Sequence, residues 1–558
     1  MNRYSYEQIK KTMENPLAKD FLKQCEDSYA ELYKDKPVQA LTYEKFKDYY
    51  RTGNRTKFQW EYFERRKRLM LLQVLAVWKD EYLVDLEQTI FEITNEFTWT
   101  LPAHNRIDED QFDYTVIDLF GAETAFYLAE TVYILNEKLS NDIKDRVKLS
   151  LKTKILDNYE SRTFFFDRTN NNWASVCGCS IGLTYLYLFP DRFPLVKDRI
   201  MQSMERYMKG LSDNGYCSEG YGYWAYGFGF FCIFFDAYYE LTGERPEIVD
   251  REKSKLVLGY GKRALISETR YLPFADGGTV GEHEPSMNIC AIELLYGKRI
   301  NAKGRQIPTP CTKALGLRAL YSLTTDLQEY DVQTQDFTYM EKEEIFVSKR
   351  KNYVFVAKGG CNADMHNHND VGVMHVLKDN EIVIADIGVG EYVKSYFGRP
   401  TEDENGRYSK KIFVCSSLSH SVPLVNGDTQ KWGKEHRATV LEVNENLFKL
   451  DITKAYVQEI DKLTVEYRLD KTGVDIEYEC DGANSVSFRF VAIVEPEKIE
   501  NGVSILGCKL FSLSGITPTI EKIGYNNHQS ELVYAYAIDF TVSGENKVNR
   551  AFRLEMGE

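Results

Sequence analysis

Apolar residues recur every three or four positions along roughly the first 320 residues, as they do on the buried face of an amphipathic helix. The segments FERRKRLMLLQVLAVWKDEYLVDLEQTIFEI and AETAFYLAETVYILNEKL show this pattern, and Gly and Pro separate such segments. Helical hairpins recur about every 45 to 60 residues without a clean sequence repeat. A helical array of this length can bury every apolar stripe in a solenoid or in a closed ring of hairpins. The pattern therefore predicts a helical domain over residues 1–325.

Apolar and polar residues alternate in most segments after about residue 340, which is the pattern of half-buried strands. The stretch GVMHVLKDNEIVIADIG contains two such segments joined by Asp379 and Asn380. The pattern predicts an antiparallel β-sheet domain over residues 340–558, most simply a sandwich. The linker, about residues 326–339, falls within SLTTDLQEYDVQTQDFTYM. The predicted fold class is thus α+β and multidomain.

Composition and charge restrict the class of protein. Of the 558 residues, 43% are hydrophobic and 28% are charged, as in ordinary globular proteins of two or three domains. The net charge of −14 argues against nucleic-acid binding, which needs a basic face. It does not exclude an anionic substrate, because a local basic cleft can exist in an acidic protein. Aromatic residues, 13% of the chain, could form sugar-binding surfaces or large cores.

The N-terminal stretch MNRYSYEQIKKTMENPLAKDF lacks the apolar region of a secretory signal, and the 11 cysteines are scattered without a CxxC pair. We therefore expect reduced thiols and a cytoplasmic protein. The run WAYGFGFFCIFFDAYY (224–239) is too short for a membrane span and is interrupted by Asp236. A buried helix and no membrane contact are the expectation.

Histidine is concentrated in one part of the chain, since five of the eight histidines lie between residues 366 and 436. In MHNHNDVGV (365–373), His366 and His368 would point to the same face of a strand. Two imidazoles at this spacing commonly form half of a zinc site, because zinc takes four nitrogen, oxygen or sulfur ligands. Taken alone, the pair is equally compatible with two solvated strand histidines.

Two later segments offer further ligands: EIVIADIG carries Asp386, and SSLSHSVPLVNGDTQ carries His420. A two-residue loop before Asp386 would place it on the face opposite His368. A three-residue loop, or a bulge near Gly372, would bring it to the same face. The other polar residues of this region are interpreted as structural: His375, His436 and the turn-capping Asp370.

Two motifs interrupt the helical half. NNNWASVCGCS (170–180) opens with an Asn run that is a poor helix interior and a good helix start, so a plain N-cap explains it. LSDNGYCSEGYGYWAYGFGFF (211–231) is rich in Gly and Tyr and leads into a buried helix. It places four polar side chains near a domain surface, namely Glu219, Tyr221, Tyr223 and Tyr226. A loop with packed aromatic residues explains this segment equally well.

Five motifs follow one another in an order that resembles the heparinase II/III-like polysaccharide lyases. They are NNNW, DNGYCSEGYGYW, HNHND, IADIGVGEY, and SLSHS with a Gln after it, and they span about residues 170–430. Each motif is loose by itself, but five in order are fairly specific. The resemblance implies an (α/α) toroid followed by antiparallel β-sheets, with the active site in the cleft between them.

The resemblance also implies β-elimination on uronic-acid polysaccharides. A base removes the proton at C5 of the uronate, the oxygen at C4 leaves with a proton, and a C4–C5 double bond forms. Carbanion formation beside a carboxylate is difficult, so that carboxylate must be neutralised. By resemblance, Asn172 hydrogen-bonds the carboxylate, Tyr223 is the acid and could also be a base, and His366 is the second base.

The metal and substrate residues are likewise implied by resemblance. His368, Asp386 and His420 look like the family's metal ligands, for zinc or else manganese or nickel, in a mainly structural role. Candidate substrate-binding residues are His104, Glu219, Tyr226 and Tyr408. A surface position for His104 and a loop-holding role for Glu219 remain alternatives. Some family members carry His after the Asn, where this chain has Trp173.

We expect a polysaccharide lyase acting on an anionic polysaccharide or oligosaccharide, with the glycosaminoglycans hyaluronan, chondroitin or heparan sulfate favoured over alginate. Alternatives are an alginate or oligoalginate lyase and a non-catalytic glycan-binding protein. A third is a toroid glycoside hydrolase with Asp213 and Glu219 as paired carboxylates, which leaves the histidine cluster unexplained. The sequence predicts no particular oligomeric state.

Overall fold

The computed structural model describes residues 2–105, 112–267, 270–277, 287–300, 316–330, 336–385, 387–397, 412–456 and 460–557. The chain divides into two compact units. The helical unit comprises Met1–Cys217, Gly222–Lys262 and Glu284–Val332, and the β unit comprises Ser218–Tyr221, Arg263–His283 and Gln333–Glu558. A helix-rich N-terminal region followed by antiparallel sheets confirms the predicted fold class.

The α-helices are, in chain order, α1 Tyr6–Met13, α2 Lys19–Leu32, α3 Tyr43–Thr52, α4 Thr56–Trp78, α5 Leu83–Thr94, α6 Leu119–Ile134, α7 Asn141–Leu151, α8 Asp157–Ser161, α9 Asn172–Leu188, α10 Lys197–Gly210, α11 Tyr221–Thr242, α12 Glu252–Arg263, α13 Met287–Tyr296 and α14 Gly316–Thr324. Helices α6 and α9 pack together and are buried around most of their circumference, as expected for central helices. Gly182 in α9 permits close packing against α11, because a Cβ there would lie 2.7 Å from the Phe234 ring.

The aromatic run that was considered as a membrane candidate forms most of α11. Its Asp236 forms an ion pair with Arg3 at 3.1 Å inside the helical unit. Among the helices that the structure describes, none is both long and apolar enough to cross a bilayer.

The strands are β1 Lys298–Arg299, β2 Gln328–Glu329, β3 Phe337–Met340, β4 Ile345–Lys349, β5 Tyr353–Lys358, β6 Cys361–Asn362, β7 Met374–Lys378, β8 Glu381–Ile384, β9 Leu424–Val425, β10 Gly433–Arg437, β11 Thr439–Asn444, β12 Leu447–Asp451, β13 Lys462–Leu469, β14 Gly473–Asp481, β15 Ser485–Ala492, β16 Glu497–Ile499, β17 Gly502–Ile505, β18 Cys508–Ser512, β19 Thr519–Asn526, β20 Leu532–Ser543 and β21 Lys547–Glu555. Strands β1 and β2 form a parallel pair in the helical unit. In the described part of the β unit, the other strands form antiparallel sheets ordered β3-β4-β5-β7-β8, β11-β12-β13-β14-β21-β18-β17-β16, β19-β20-β15-β9 and β10-β6.

Aromatic side chains join these sheets into the predicted sandwich. The rings of Phe346 in β4 and Phe448 in β12 stack at 5.1 Å, which packs the five-stranded sheet on the eight-stranded one. Tyr478 in β14 and Phe488 in β15 lie 4.8 Å apart, which packs the four-stranded sheet on it as well. The alternation of apolar residues along these strands therefore supplies one continuous core.

The β7–β8 hairpin shows how the chain approaches the segment with Asp386. Its loop is the two residues Asp379 and Asn380, both with positive φ, as in a tight type I′ turn. An irregularity in the pairing of β7 with β8 leaves one extra residue, Val383, in β8. Asp386 itself lies outside the described residues, as does Tyr408.

Candidate active site

Asn172 is the first residue of α9 in the helical unit. The cap of this helix is Asn171, whose side-chain oxygen accepts a hydrogen bond from the Trp173 backbone N–H at 3.2 Å. The structural interpretation of the Asn run thus applies to Asn171. The amide of Asn172, which is 6% exposed, is not committed to the cap.

His104 is held firmly within the helical unit. Its Nδ1 pairs with the Asp118 carboxylate at 2.7 Å, and its Nε2 lies 3.3 Å from an Arg55 nitrogen. The ring meets Trp173 edge-on at 5.0 Å. His104 therefore packs beside the residue that follows Asn172, and not at an isolated surface helix end.

The Tyr-rich segment enters α11, and its residues have different environments. Tyr223 lies in the first turn of α11 and is half-buried. Tyr226, one turn further, is 8% exposed, and its hydroxyl donates to the Glu123 carboxylate. Burial, followed by the charge of Glu123, raises the pKa of Tyr226 well above its usual value. Tyr226 is thus engaged within the helical unit.

Glu219 belongs to the β unit and is 5% exposed. The adjacent Tyr221 ring stacks on Tyr271 at 4.5 Å. Gly220 has φ +99°, and a Cβ there would lie 3.2 Å from the Phe274 carbonyl oxygen. These contacts fix the segment around Glu219 against residues 271–277.

Asp276 is the centre of a polar cluster in the β unit. One carboxylate oxygen, Oδ2, pairs with Nδ1 of His366 and accepts from the Tyr392 hydroxyl at 2.9 Å. The other, Oδ1, pairs with Nε2 of His368 at 3.0 Å and accepts from the Tyr396 hydroxyl. We call these five residues the Asp276 cluster. The Asp276 side chain is fully buried, whereas His366 is partly exposed, so the cluster presents the His366 ring towards solvent.

The conformation of the HNHND turn departs from the sequence prediction. His366 and His368 do not lie in a strand but in irregular backbone between β6 and β7, so the prediction of a strand face was wrong. His366 has φ +54°, an unfavourable conformation for a non-glycine residue that its surroundings must hold in place. Both rings nevertheless reach the same carboxylate. The argument from strand faces for Asp386 therefore does not apply.

Gln430, the Gln that follows the SLSHS motif, holds this turn. Its side-chain oxygen accepts from the Val371 N–H at 2.9 Å, and its side-chain nitrogen donates to the Val371 carbonyl at 2.7 Å. The Asn369 amide donates to the Gln430 carbonyl at 2.9 Å, and Ser417 donates to the Asn369 carbonyl at 2.8 Å. The motifs HNHND and SLSHS are thus physically joined.

Charges around the two imidazoles are unusual. Burial lowers the pKa of His368, but the Cys415 thiol and the Asp276 carboxylate raise it, to about 10 overall. Glu219 Oε2 lies 3.9 Å from Nε2 of His366. Burial raises the pKa of Glu219, and the nearby His366 partly opposes this. His366 therefore stands between two carboxylates, Asp276 at Nδ1 and Glu219 at Nε2.

His368 and His420 are two of the three predicted metal ligands. Both are fully buried, and their ring centroids lie 5.2 Å apart. In the part of the chain that is described, Nδ1 of His368 has no nitrogen or oxygen partner within hydrogen-bonding distance. Within the same residues, no group of three or more His, Cys, Asp or Glu side chains is placed to hold a metal ion. The third predicted ligand, Asp386, is among the residues outside the description.

The residues interpreted as structural have structural surroundings. His375 is buried and meets the Phe274 ring at 5.4 Å. A ring N–H of His436 donates to the Lys454 carbonyl at 2.8 Å. Asp370 is buried 3.5 Å from the Lys358 amine. None of these contacts points to chemistry.

Asp213, one of the two carboxylates of the hydrolase alternative, lies on the surface. Its side chain is 87% exposed and sits 3.8 Å from the Lys253 amine in the helical unit. Glu219, its proposed partner, is buried in the β unit. An open carboxylate of this kind has no environment that would tune it as a catalytic acid.

Asp276, Tyr392 and Tyr396 were not identified from the sequence. Tyr392 ends the motif IADIGVGEY, but nothing in the motif shows that its hydroxyl contacts Asp276. Asp276 lies in PFADGG, at the end of the region predicted to be helical. The signal available was the Asp-Gly turn after a buried Phe, a common turn and therefore a weak indication.

No family model and no curated protein sequence matches this chain. Solved structures, in contrast, match over nearly its full length. A heparinase III gene product matches with 13% identity and a TM-score of 0.57, covering 98% of this chain and 91% of its own. Heparan sulfate lyase HepC from Pedobacter heparinus matches with 10% identity and a TM-score of 0.55, covering 96% and 87%.

A Streptomyces coelicolor chondroitin AC lyase, solved with chondroitin sulphate, matches with 9% identity and a TM-score of 0.54, covering 97% of this chain and 82% of its own. At these identities the likeness shows a shared fold. It confirms, at the level of fold, the resemblance to heparinase-type polysaccharide lyases that the five motifs indicated.

Proposed function

We propose that this chain is a polysaccharide lyase that cleaves uronic-acid glycans by β-elimination, with glycosaminoglycans as the favoured substrates. The observation that carries the proposal is the arrangement around His366. One ring nitrogen is held by the buried Asp276 carboxylate, and the other is directed towards Glu219. A histidine held through one ring nitrogen can present the other to a substrate as a general base.

The proposed reaction moves two electron pairs, that of the C5–H bond and that of the C4–O bond. Nε2 of His366 takes the C5 proton of the uronate, and the C5–H electron pair becomes the C4–C5 double bond. The C4–O bond breaks, and its electrons stay on the leaving oxygen, which takes a proton from an acid. No water is consumed, and the product carries a new unsaturated uronate at its non-reducing end.

Asn172 is proposed to bind the uronate carboxylate. Its position at the start of α9 adds the partial positive charge of a helix N-terminus to the hydrogen bond of its amide. Neutralising the carboxylate makes the C5 proton more acidic, because the developing negative charge spreads onto a group that is already stabilised.

Tyr223 is proposed as the acid that protonates the leaving oxygen. It lies in the first turn of α11 and keeps part of its side chain exposed. Tyr226, one turn along, is engaged with Glu123. Of the two, Tyr223 is the more exposed, and it is therefore the one proposed to meet a substrate.

The choice of substrate class rests on the comparisons. One matching structure is a heparan sulfate lyase, and another is a chondroitin AC lyase solved with chondroitin sulphate. Glycosaminoglycans are therefore placed before alginate.

We also propose a divalent metal ion, zinc before manganese, held by His368 and His420 together with Asp386. The support is that two buried imidazoles lie side by side, with Nδ1 of His368 unused by nitrogen or oxygen partners in the described residues. Bound there, the ion would be a structural brace for the turn that carries His366. Elemental analysis of the purified protein and of His420→Ala tests this, and equal metal content in both would contradict it.

The test of the lyase proposal is ultraviolet absorbance during incubation with hyaluronan, chondroitin sulfate, heparan sulfate, heparin and alginate. Only elimination creates the conjugated C4–C5 double bond that absorbs. A rise in absorbance on one of the glycosaminoglycans is the expected result. A rise on alginate alone would identify an alginate lyase instead.

Flat absorbance with new reducing ends would instead indicate a hydrolase. Flat absorbance without new reducing ends, on polymers and on short oligosaccharides, would leave a glycan-binding protein. Either result contradicts the proposal.

A further inference from the structure

Asp276 makes two contacts that together define which ring nitrogen carries the proton in each of the two histidines. Oδ2 pairs with Nδ1 of His366, and Oδ1 pairs with Nε2 of His368. An ionised carboxylate can accept hydrogen bonds but cannot donate them. In each pair the imidazole nitrogen is therefore the donor. The two rings are therefore held by opposite nitrogens.

The consequence differs for the two rings. With Nδ1–H of His366 donating, the neutral ring has its lone pair on Nε2, the nitrogen that lies 3.9 Å from Glu219. With Nε2–H of His368 donating, Nδ1 is the nitrogen at which a metal ion would replace a ring proton. A carboxylate that fixes the tautomer of a histidine is a common partner of catalytic and metal-binding imidazoles.

The surroundings hold the Asp276 carboxylate itself in one place. The Tyr392 hydroxyl donates at 2.9 Å to Oδ2, and the Tyr396 hydroxyl donates to Oδ1. The preceding Ala275 has φ +58°, a strained conformation for a non-glycine residue. Four donors on a fully buried carboxylate offset the loss of its hydration.

The segment that leads to Asp276 is anchored within the β unit. The Lys349 amine donates to the Leu265 carbonyl at 2.9 Å, and the Arg270 side chain donates to the Asn380 carbonyl at 2.9 Å. Phe274 packs on His375, in β7. Asp276 therefore reaches the histidines from a segment fixed to the same sheet.

We propose that Asp276 is the positioning residue of this site: it holds His366 with Nε2 as the base and His368 with Nδ1 as the metal-binding nitrogen. The inference rests on the proposed lyase function for the role of His366, whereas the tautomers themselves are a property of the protein alone. No substrate contact is assigned to Asp276.

The first test is nuclear magnetic resonance of the full-length protein with ¹⁵N-labelled histidine, at a mildly alkaline pH. The His366 signals are assigned by their loss in His366→Ala. The expected result is a proton on Nδ1 and none on Nε2 in the wild-type protein, and a loss of this preference in Asp276→Asn. A wild-type His366 with its proton on Nε2 would overturn the proposal, whatever the activity.

The second test compares the turnover of Asp276→Asn with that of Asp364→Asn. Asp364 lies on the turn before His366, and its carboxylate is 3.8 Å from the Lys358 amine. Asp276→Asn is expected to lower kcat by about 100-fold or more with KM changed less than about threefold, because a misplaced base affects only the transition state. Asp364→Asn should retain wild-type kcat.

Metal content gives a readout independent of turnover, and it should fall in Asp276→Asn but not in Asp364→Asn. Equal kcat and metal content in the two variants would overturn the proposal. If Asp276→Asn does not fold, the wild-type tautomer decides the question. A wild-type protein with no lyase activity would remove the proposed function but leave the tautomer result standing, so the two failures are distinguishable.

Discussion

The helical unit and the β unit place their polar site residues in different ways. Asn172 and Tyr223 lie in the first turns of α9 and α11, two regular helices that local sequence indicates through an Asn run and an aromatic run. His366 lies in irregular backbone that is held by Asp276, 90 residues earlier, and through Gln430 later in the chain. A regular helix positions a side chain through local sequence, whereas the turn needs long-range contacts to exist at all.

This difference has an energetic side. A helix start is stabilised by its own cap and by the helix that follows, so one side chain can be removed while the backbone stays. His366 has φ +54°, and its turn persists only because surrounding hydrogen bonds impose it. We therefore expect function and stability to be separable in the helical unit, and coupled in the residues that support the turn of the β unit.

The largest effect is expected for His366→Ala. Removal of the general base should lower the elimination rate by about 1,000-fold, within the range typical of positioned acids and bases. The measurement is the initial rate of ultraviolet absorbance on the best glycosaminoglycan. The fold should persist, because the hydrogen bonds of Gln430 to Val371 still hold the turn.

His436→Ala is the matched control, since its ring contacts only a backbone carbonyl among its described hydrogen-bond partners. It should retain the wild-type rate. Comparable rates for the two alanine variants would remove His366 from the mechanism.

Asn172→Ala tests the helical unit. Loss of the amide that neutralises the uronate carboxylate should lower kcat/KM by about 100-fold, as for other donors to developing negative charge. The melting temperature should stay near the wild-type value, because Asn171 and not Asn172 caps α9.

The neighbouring Asn171→Ala separates the two roles. It should lower the free energy of unfolding by about 1 kcal/mol through loss of the cap, and keep most of the turnover. The comparison breaks down if the two substitutions change activity and stability in the same proportion.

Gln430→Ala tests the coupling in the β unit. It leaves the Val371 N–H and carbonyl without their side-chain partners, which should lower the stability of the β unit by about 2–4 kcal/mol. Hydrogen exchange of the peptide 365–373 should become faster, and the elimination rate should fall with it. Gln529→Ala, at an exposed turn, is the control and should change neither. Unchanged exchange in Gln430→Ala would show that the turn holds without Gln430.

Glu219→Gln is expected to have the smallest effect, and it depends on pH. Burial raises the pKa of Glu219 above its usual value of 4.5, so the folded protein binds this proton more tightly than the unfolded chain. The contribution of Glu219 to stability therefore falls as pH rises through and above 4.5. Thermal unfolding should show Glu219→Gln gaining on the wild type from acidic to neutral pH. A wild type that gains on the variant over this range would contradict the sign.

The same comparison explains what the sequence could predict. The helical and β regions and the antiparallel sandwich follow from periodicity, and the buried α11 follows from a continuous apolar run; both are local properties. The five motifs found the segments that carry Asn172, Tyr223 and His366. They did so because these residues lie in short, unusual runs such as NNNW and HNHND.

What the sequence missed depends on long-range contacts. The strand assumed for His366 failed because the Asn- and Asp-rich run forms a turn, and only contacts with Asp276 and Gln430 make that turn stable. Asp276 stands in a segment next to predicted helices, and its membership of the β unit comes from packing. Periodicity contains no information about such contacts.

The most direct test of the central claim is product mass after reaction in water enriched in heavy oxygen. Elimination consumes no water. The wild type should therefore form unsaturated products in which the cleavage has added no solvent oxygen, and His366→Ala should not form them. Saturated products that carry one heavy oxygen atom would show hydrolysis, and would contradict both the lyase reaction and the role assigned to His366.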